Sequence, residues 1–230
     1  RSPLTSIKGS MGLLLSKAAG ELTPKAEGLL EIAHRNADRL VLIINDILDM
    51  EKISSGHMDF EIKEADLSEM VREALRANAT AHQRYGLNIQ CSGIDSPNMV
   101  ETDANRIIQV LTNLMSNAAK FSKPGGTVEI TVKNISGGLV VSVRDEGVGI
   151  SVSDHHKIFQ RFADMSNSDR AVKGGTGLGL SICKVIIEGL GGTIDFESRE
   201  GYGTTFTFTL PGKLRHGGTD IDAPILRNVG

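Results

Sequence analysis

Cysteine is scarce in this chain. Only Cys91 and Cys183 occur in 230 residues, and neither sits in a CxxC or Cys/His spacing. That excludes a disulfide framework and a thiolate metal site, and both are expected to be free thiols in a reducing compartment. No apolar run approaches the roughly 18 residues of a membrane span, and no signal peptide is visible. Long runs of one charge sign are also missing, and the net charge is −3, which argues against nucleic acid as a partner. There are no repeats and no low-complexity tract. The chain opens at Arg1 without a Met. A piece of a longer protein is therefore expected, itself cytoplasmic, with anchoring of the parent in the inner membrane through other parts left open.

What is present is enough apolar residue, 40%, for a real core, in a length that allows one large domain or two small ones. Residues 1–56 read as two helices. Leu4, Ile7, Met11, Leu14 and Ala18 recur at alternating three- and four-residue steps, until Gly20 and Pro24 break the pattern. Thr23 is placed as an N-cap with Pro24 at the first helical position. Ala26, Leu30, Ala33, Ala37, Leu40, Ile44 and Ile47 resume the stripe, and Leu29, Val41, Ile43 and Leu48 widen it. Faces this wide exceed what two helices can bury against each other. A second copy of the hairpin would complete a four-helix bundle, and packing on the rest of the chain is the alternative.

Ser54-Ser55-Gly56 begins a linker, taken as 57–63, and a mixed pattern follows over 64–213. Asp66 to about Gln83 is an amphipathic helix. Thr127–Lys133 and Leu139–Val143 are strands turning at Gly137-Gly138. Leu178 to about Leu190 is a helix, and Thr193–Ser198 with Thr204–Leu210 form a closing hairpin. This order predicts an α+β chain: a helical hairpin, then an α/β sandwich with helices on one face of a mixed, largely antiparallel sheet. Residues 214–230 are Gly- and charge-rich and are expected to be a flexible tail.

Three parts of the second region read together as a site for ATP and its metal. The helix from Asp103 to about Phe121 has an apolar stripe of Ile107, Leu111, Leu114 and Ala118. Opposite it runs a polar stripe of Arg106, Gln109, Asn113, Asn117 and Lys120. Solvated faces prefer Glu, Lys and Arg, and Asn is a poor helix former, so two Asn four residues apart suggest a task. A neutral amide oxygen suits Mg²⁺, which takes few protein ligands. Asp145 ends a strand and leads into Gly147 and Gly149. A carboxylate there can accept from the exocyclic amine of adenine while the glycines let backbone approach the base. A second loop, Gly174-Gly175-Thr176-Gly177-Leu178-Gly179, opens a helix whose positive end suits phosphates. Between the loops, a polar segment around Met165–Arg170 reads as a mobile lid, anchored on apolar surface by Phe159 and Phe162. Arg161, Arg170 and Lys173 are cations within its range.

Taken in order, these motifs resemble the cytoplasmic core of sensor histidine kinases of two-component systems, over about residues 1–211. The asparagine box is Asp103–Ser122, the first glycine box Asp145–Gly149, the phenylalanine box Phe159–Phe162, and the second glycine box Gly174–Gly179. Gly203-Thr204-Thr205-Phe206 resembles the last motif of the wider ATPase superfamily shared with gyrase and mismatch-repair proteins.

The resemblance implies roles for these residues. Asn117 would hold Mg²⁺, Asn113 would support the phosphates and nearby water, and Lys120 would contact phosphate. Phe121 would pack on adenine, Asp145 would read its amine, and Thr204 would back Asp145 through water. Strand alternation favours Thr204 over Thr205 for facing inward. Gly147, Gly149, Gly175, Gly177, Leu178, Gly179 and Arg161 complete the expected nucleotide site.

Arg1-Ser2-Pro3-Leu4 resembles the tail of the histidine box, so the phosphoacceptor His would precede Arg1, and Ser2 falls at a position linked to phosphatase chemistry. His34 is no substitute, and His57, His155 and His156 read as surface residues. The implied partners are a second copy through residues 1–56 and a response-regulator receiver domain. Two alternatives stay open: another ATPase of the superfamily, such as a chaperone or topoisomerase module, and a non-catalytic, dimerising or inhibitory homologue that binds nucleotide.

Overall fold

Thr23 starts the long second helix as its pattern requires: the hydroxyl accepts from Ala26 N at 3.3 Å, and Pro24 supplies the first helical turn. The computed structural model describes residues 2–55, 58–162 and 177–212. Helices α1 (Ser2–Leu15) and α2 (Pro24–Ser54) form a hairpin. Lys8 joins it to Asp38 at 2.8 Å, and His34 Nδ1 lies 3.3 Å from the same carboxylate. Ala37 is buried, but Leu13, Leu29, Leu42 and Ile47 are each more than half exposed. The width of the apolar face, evident from its residue pattern, is thus only partly covered within this chain.

The second region contains β1 (Lys63–Asp66), α3 (Leu67–Tyr85), β2 (Asn88–Ser92), β3 (Met99–Thr102), α4 (Ala104–Phe121), β4 (Thr127–Ile135) and β5 (Gly138–Asp145). A 3-10 turn (Val152–Lys157), α5 (Gly179–Gly189), β6 (Ile194–Arg199) and β7 (Gly203–Pro211) follow. The main sheet runs β2-β4-β5-β7-β6; β2 lies parallel to β4 and the other pairs are antiparallel. β1 and β3 make a separate antiparallel pair. The sandwich and its mixed sheet match the expectation. Strands β1, β2 and β3 and the 3-10 turn add to it. The β4–β5 turn is corrected to Ser136-Gly137, with Gly138 the first strand residue.

Alternation sets the inner face of the sheet. Val128, Ile130 and Val132 on β4, Leu139, Val141 and Val143 on β5, and Phe206, Phe208 and Leu210 on β7 are all buried. Against them pack Leu67, Met70 and Val71 of α3, Ile107, Leu111 and Leu114 of α4, and Ile182, Ile186 and Ile187 of α5, in one cluster. Helix α4 is capped by Asp103, whose carboxylate accepts from Arg106 N at 3.1 Å and also from Glu61 N at 3.0 Å. One side chain therefore fixes both the helix start and the incoming chain.

The end of α2 is fastened to α4. Asp49, 8% exposed, accepts from Arg106 Nη1 at 3.0 Å and Gln109 Nε2 at 2.7 Å. Met50 joins the core beside it, with Ile53, Met58 and Phe60 packed against that core. The polar stripe of α4 therefore divides: its first two members hold the hairpin.

His82, near the end of α3, is 6% exposed and its Nε2 has no hydrogen-bond partner among the described residues. Burial holds its pKa below the ordinary 6.5, because the charged form is the costlier one to bury. The unfolded chain therefore binds the proton more readily, and stability falls as pH drops below about 6.5. Urea unfolding at pH 7.5 and 5.5 should show a smaller pH effect in His82→Leu than in the unaltered chain.

Candidate functional site

Asp145 continues the inward row of β5 one step past Val143 and is 6% exposed. Its cross-strand partner is Thr204, also 6% exposed, which begins the inward row of β7. The last inward positions of two central strands are thus a carboxylate and a hydroxyl where the preceding rows are Val, Phe and Leu. Asp145 Oδ1 accepts from Gly147 N at 2.8 Å, which starts the turn. Gly147 passes so close to the end of α4 that a Cβ would sit 2.3 Å from the Phe121 carbonyl. Val148 N donates to that same carbonyl at 3.2 Å. Gly149 has φ +66°, and a Cβ there would meet the Arg199 carbonyl at 2.0 Å. Gly201 N donates to Val148 O at 2.8 Å, and Ile150 N to Ser198 Oγ at 2.8 Å. The first glycine loop is therefore wedged between the end of α4 and the β6–β7 turn.

The other part of α4 reaches the second loop. Asn113 Nδ2 lies 3.5 Å from Gly179 O and 3.7 Å from Cys183 Sγ, in the first turns of α5. Asn113, Asn117 and Lys120 are each half-buried. Asn113 and Asn117, one turn apart, are neighbours on one helix face. Lys120 Nζ lies over the Phe121 ring, 4.8 Å from its centroid. Gly177 has φ +70° and is exposed. Leu178, by contrast, is 1% exposed, so its side chain belongs to the core rather than to an open surface. Gly174, Gly175 and Thr176, with Arg170, Lys173 and the Met165–Arg170 stretch, lie outside the described residues, as do His57 and everything after Gly212. Arg1 also lies outside them, and of Ser2 only its position at the start of α1 is described.

The phenylalanine pair separates. Phe159 packs edge-on to Phe196 and Phe206, with centroids 5.9 and 6.4 Å away. Phe162 is 70% exposed at φ +54°, which corrects its expected anchoring role. Phe159, Phe196 and Phe206 already occupy the apolar space, and Phe162 N instead donates to Gly177 O at 3.1 Å. His155 is likewise no bare surface residue: its ring stands edge-on to Phe196 at 5.1 Å, and Nε2 lies 3.2 Å from Ile150 O. His156 and Arg161 are exposed. Ser198, which touches Thr204 Oγ1 at 2.8 Å, escapes sequence reasoning because a lone Ser in a strand has no distinguishing pattern.

Cys183 is fully buried, and burial pushes its thiol pKa up to about 12, leaving it unreactive. Both cysteines are free. Among the described residues no group of three or more His, Cys, Asp or Glu is arranged for a metal. The fit for Mg²⁺ rests instead on amide oxygens, which suit an ion that keeps water and phosphate oxygens as its other ligands. A cleft of about 470 Å³ lies away from the glycine loops, lined by Asp59, Phe60, Glu61, Asp103, Arg106 and their neighbours. Among the described residues no helix is long and apolar enough to cross a membrane.

Comparison with known proteins defines the class first. Residues 102–214 match the model of histidine kinase-, DNA gyrase B- and HSP90-like ATPases, and residues 1–56 match that of the His Kinase A phospho-acceptor domain. The circadian input-output histidine kinase CikA of Synechococcus elongatus is 35% identical over 216 residues, 92% of this chain and 28% of that protein. The catalytic domain of histidine kinase ThkA is 34% identical with a TM-score of 0.59, covering 66% of this chain and 97% of that one. Histidine kinase ThkA, solved in complex with response regulator protein TrrA, is 28% identical with a TM-score of 0.63, covering 91% of this chain and 57% of that one. Full-length ShkA, solved in complex with AMPPNP, is 26% identical with a TM-score of 0.71, covering 92% and 43%. The chain belongs to the family of sensor histidine kinases of two-component systems. It spans about a quarter to a third of the length of the curated relatives it matches.

Gly149→Ala should lower stability by at least about 1–3 kcal/mol, because both φ and the Arg199 carbonyl oppose a side chain there. Urea unfolding followed by circular dichroism measures it.

Proposed function

We propose that this chain is the kinase core of its parent, binding Mg-ATP in the region bounded by α4 and the two glycine loops. In the intact protein the γ-phosphoryl group would pass to a histidine imidazole preceding Arg1 and then to an Asp of a response-regulator receiver domain. One observation carries the reading. A single helix supplies Asn113 beside the second glycine loop and Phe121 beside the first, while Asp145 and Thr204 lie buried as a polar pair under that first loop. Asp145 accepts from the adenine amine, with Thr204 behind it. Asn113 and Lys120 serve the phosphates, joined by Arg161 and the backbone of Gly175, Gly177 and Gly179. Asn117 holds Mg²⁺, which supplies charge stabilisation to the phosphoryl group. The chain's own contribution is to bind and align.

In this reading residues 1–56 are the dimerisation and phosphotransfer hairpin, 57–63 the linker, 64–213 the ATP-binding domain and 214–230 a tail. The half-exposed leucines and isoleucines of α1 and α2 support a second copy as their cover. Ser2 is assigned to the phosphatase position, and any membrane attachment to other parts of the parent.

Calorimetric titration with a non-hydrolysable ATP analogue, with and without Mg²⁺, tests the site. Asp145→Ala should weaken binding by about tenfold to a hundredfold, the worth of a hydrogen bond to a charged group, and Asn117→Ala should remove the Mg²⁺-dependent increment. Absence of binding by the folded, unaltered chain would refute the proposal. Sedimentation equilibrium should find a dimer, and the double substitution Leu40→Glu with Ile47→Glu should convert it to monomer without loss of helix content.

A further inference from the structure

Helix α2 carries one polar residue in the middle of an apolar arc. At about 100° per residue, Leu29, Ile32, Asn36, Leu40, Ile43 and Ile47 fall within roughly 80° of one another around the helix. Leu29, Ile32, Leu40 and Ile47 are each about half exposed or more, and Asn36 is exposed among them. The side of α2 turned to α1 is a different one. It bears the buried Ala37, with Asp38 meeting Lys8 and the His34 ring lying across Gly12. Asn36 therefore belongs to the arc that this chain leaves uncovered.

Those two contacts with α1 also give the register of the hairpin. Residue 38 stands level with 8 and residue 34 with 12, so Asn36 stands level with Ser10, which is exposed on α1. One turn away in either direction the arc is apolar again, at Ile32 and Leu40. An asparagine is a poor choice for a solvated helix interior, where Glu, Lys or Arg cost less. It is also a poor choice for an apolar interface, where an unpaired amide is costly. One arrangement removes both objections. In a two-fold pair each surface meets its own copy, so apolar arc meets apolar arc, and the level of Asn36 meets the level holding Asn36 and Ser10 of the second copy. An amide has donors and an acceptor and can pair with its own kind or with a hydroxyl. A slip of one turn would instead set each amide against Ile32 or Leu40, buried without a partner.

We propose that Asn36 sets the register and the number of copies in the pairing of the hairpin: its amide meets the polar level formed by Asn36 and Ser10 of a second copy, at a cost in affinity that excludes slipped and larger assemblies. A single polar residue in the seam of a coiled coil acts in this way. The inference rests on the second-copy reading given above and names the residue that makes the pairing unique.

Sedimentation equilibrium gives the association constant and the number of copies. Distances between spin labels on Glu31→Cys, in a Cys91→Ser background, give the register; Cys183 is buried and stays unlabelled. The unaltered seam should give dimers with one narrow distance. Asn36→Leu should tighten association about tenfold or more, the worth of sparing a buried amide, and should spread the distance into several, with species larger than the dimer. Asn36→Asp, which brings two carboxylates to one level, should weaken association about tenfold or more at neutral pH. Arg35→Leu, outside the arc, should change neither reading. If Asn36→Leu associates no more tightly, or keeps the single distance, or if Asn36→Asp associates as well as the unaltered chain, the role of Asn36 is overturned and the second-copy reading stands. If the unaltered chain stays monomeric, both fall.

Discussion

Helix α4 is amphipathic in a way that leaves it one seat in the molecule. Ile107, Leu111, Leu114 and Ala118 must leave water, and the sheet with α3 and α5 offers the surface that receives them. Once that stripe is buried, the opposite stripe is forced to the rim of the sandwich at a fixed rotation. Everything chemically distinctive follows from the seat. Phe121 O meets the turn after Asp145, Asn113 meets α5, and Arg106 and Gln109 meet the end of α2. Hydrophobic burial is non-directional, yet here it sets direction for groups that make none of it themselves.

The elements legible in the sequence are those whose own residues demand them. Thr23-Pro24 announces a helix start by its chemistry. The spacing of Leu67, Met70, Val71 and Ala74 predicts α3, and Val128-x-Ile130-x-Val132 predicts β4. The two-residue alternation also carries Thr204 to the inner face with Phe206 and Phe208. Strands β1, β2 and β3 are silent because each is only four or five residues long and none buries more than two of them. Lys63-Glu-Ala-Asp66 has no apolar alternation at all. It becomes a strand because β3 pairs with it across more than 30 intervening residues.

The same distinction runs through the candidate site. Asp145, the glycines and the two asparagines are visible because each is an unusual residue for its element. Ser198 is an ordinary residue made special by three contacts from Ile150, Gly203 and Thr204, which only the assembled sheet brings to it. Phe162 misleads in the opposite sense. An aromatic beside Phe159 suggests burial, but the space is filled by Phe159, Phe196 and Phe206, and a left-handed backbone turns residue 162 outward. Arg106 and Gln109 share the spacing of the asparagines, and their different use by Asp49 cannot be read from spacing.

The clasp of Asp49 on Arg106 and Gln109 divides the labour of α4 along its length. A straight helix places Asn117 about 16 Å beyond Arg106. The joint to the hairpin and the turn that carries Asn117 therefore occupy separate stretches of one element, so that residues can change at either end without altering the contacts made at the other.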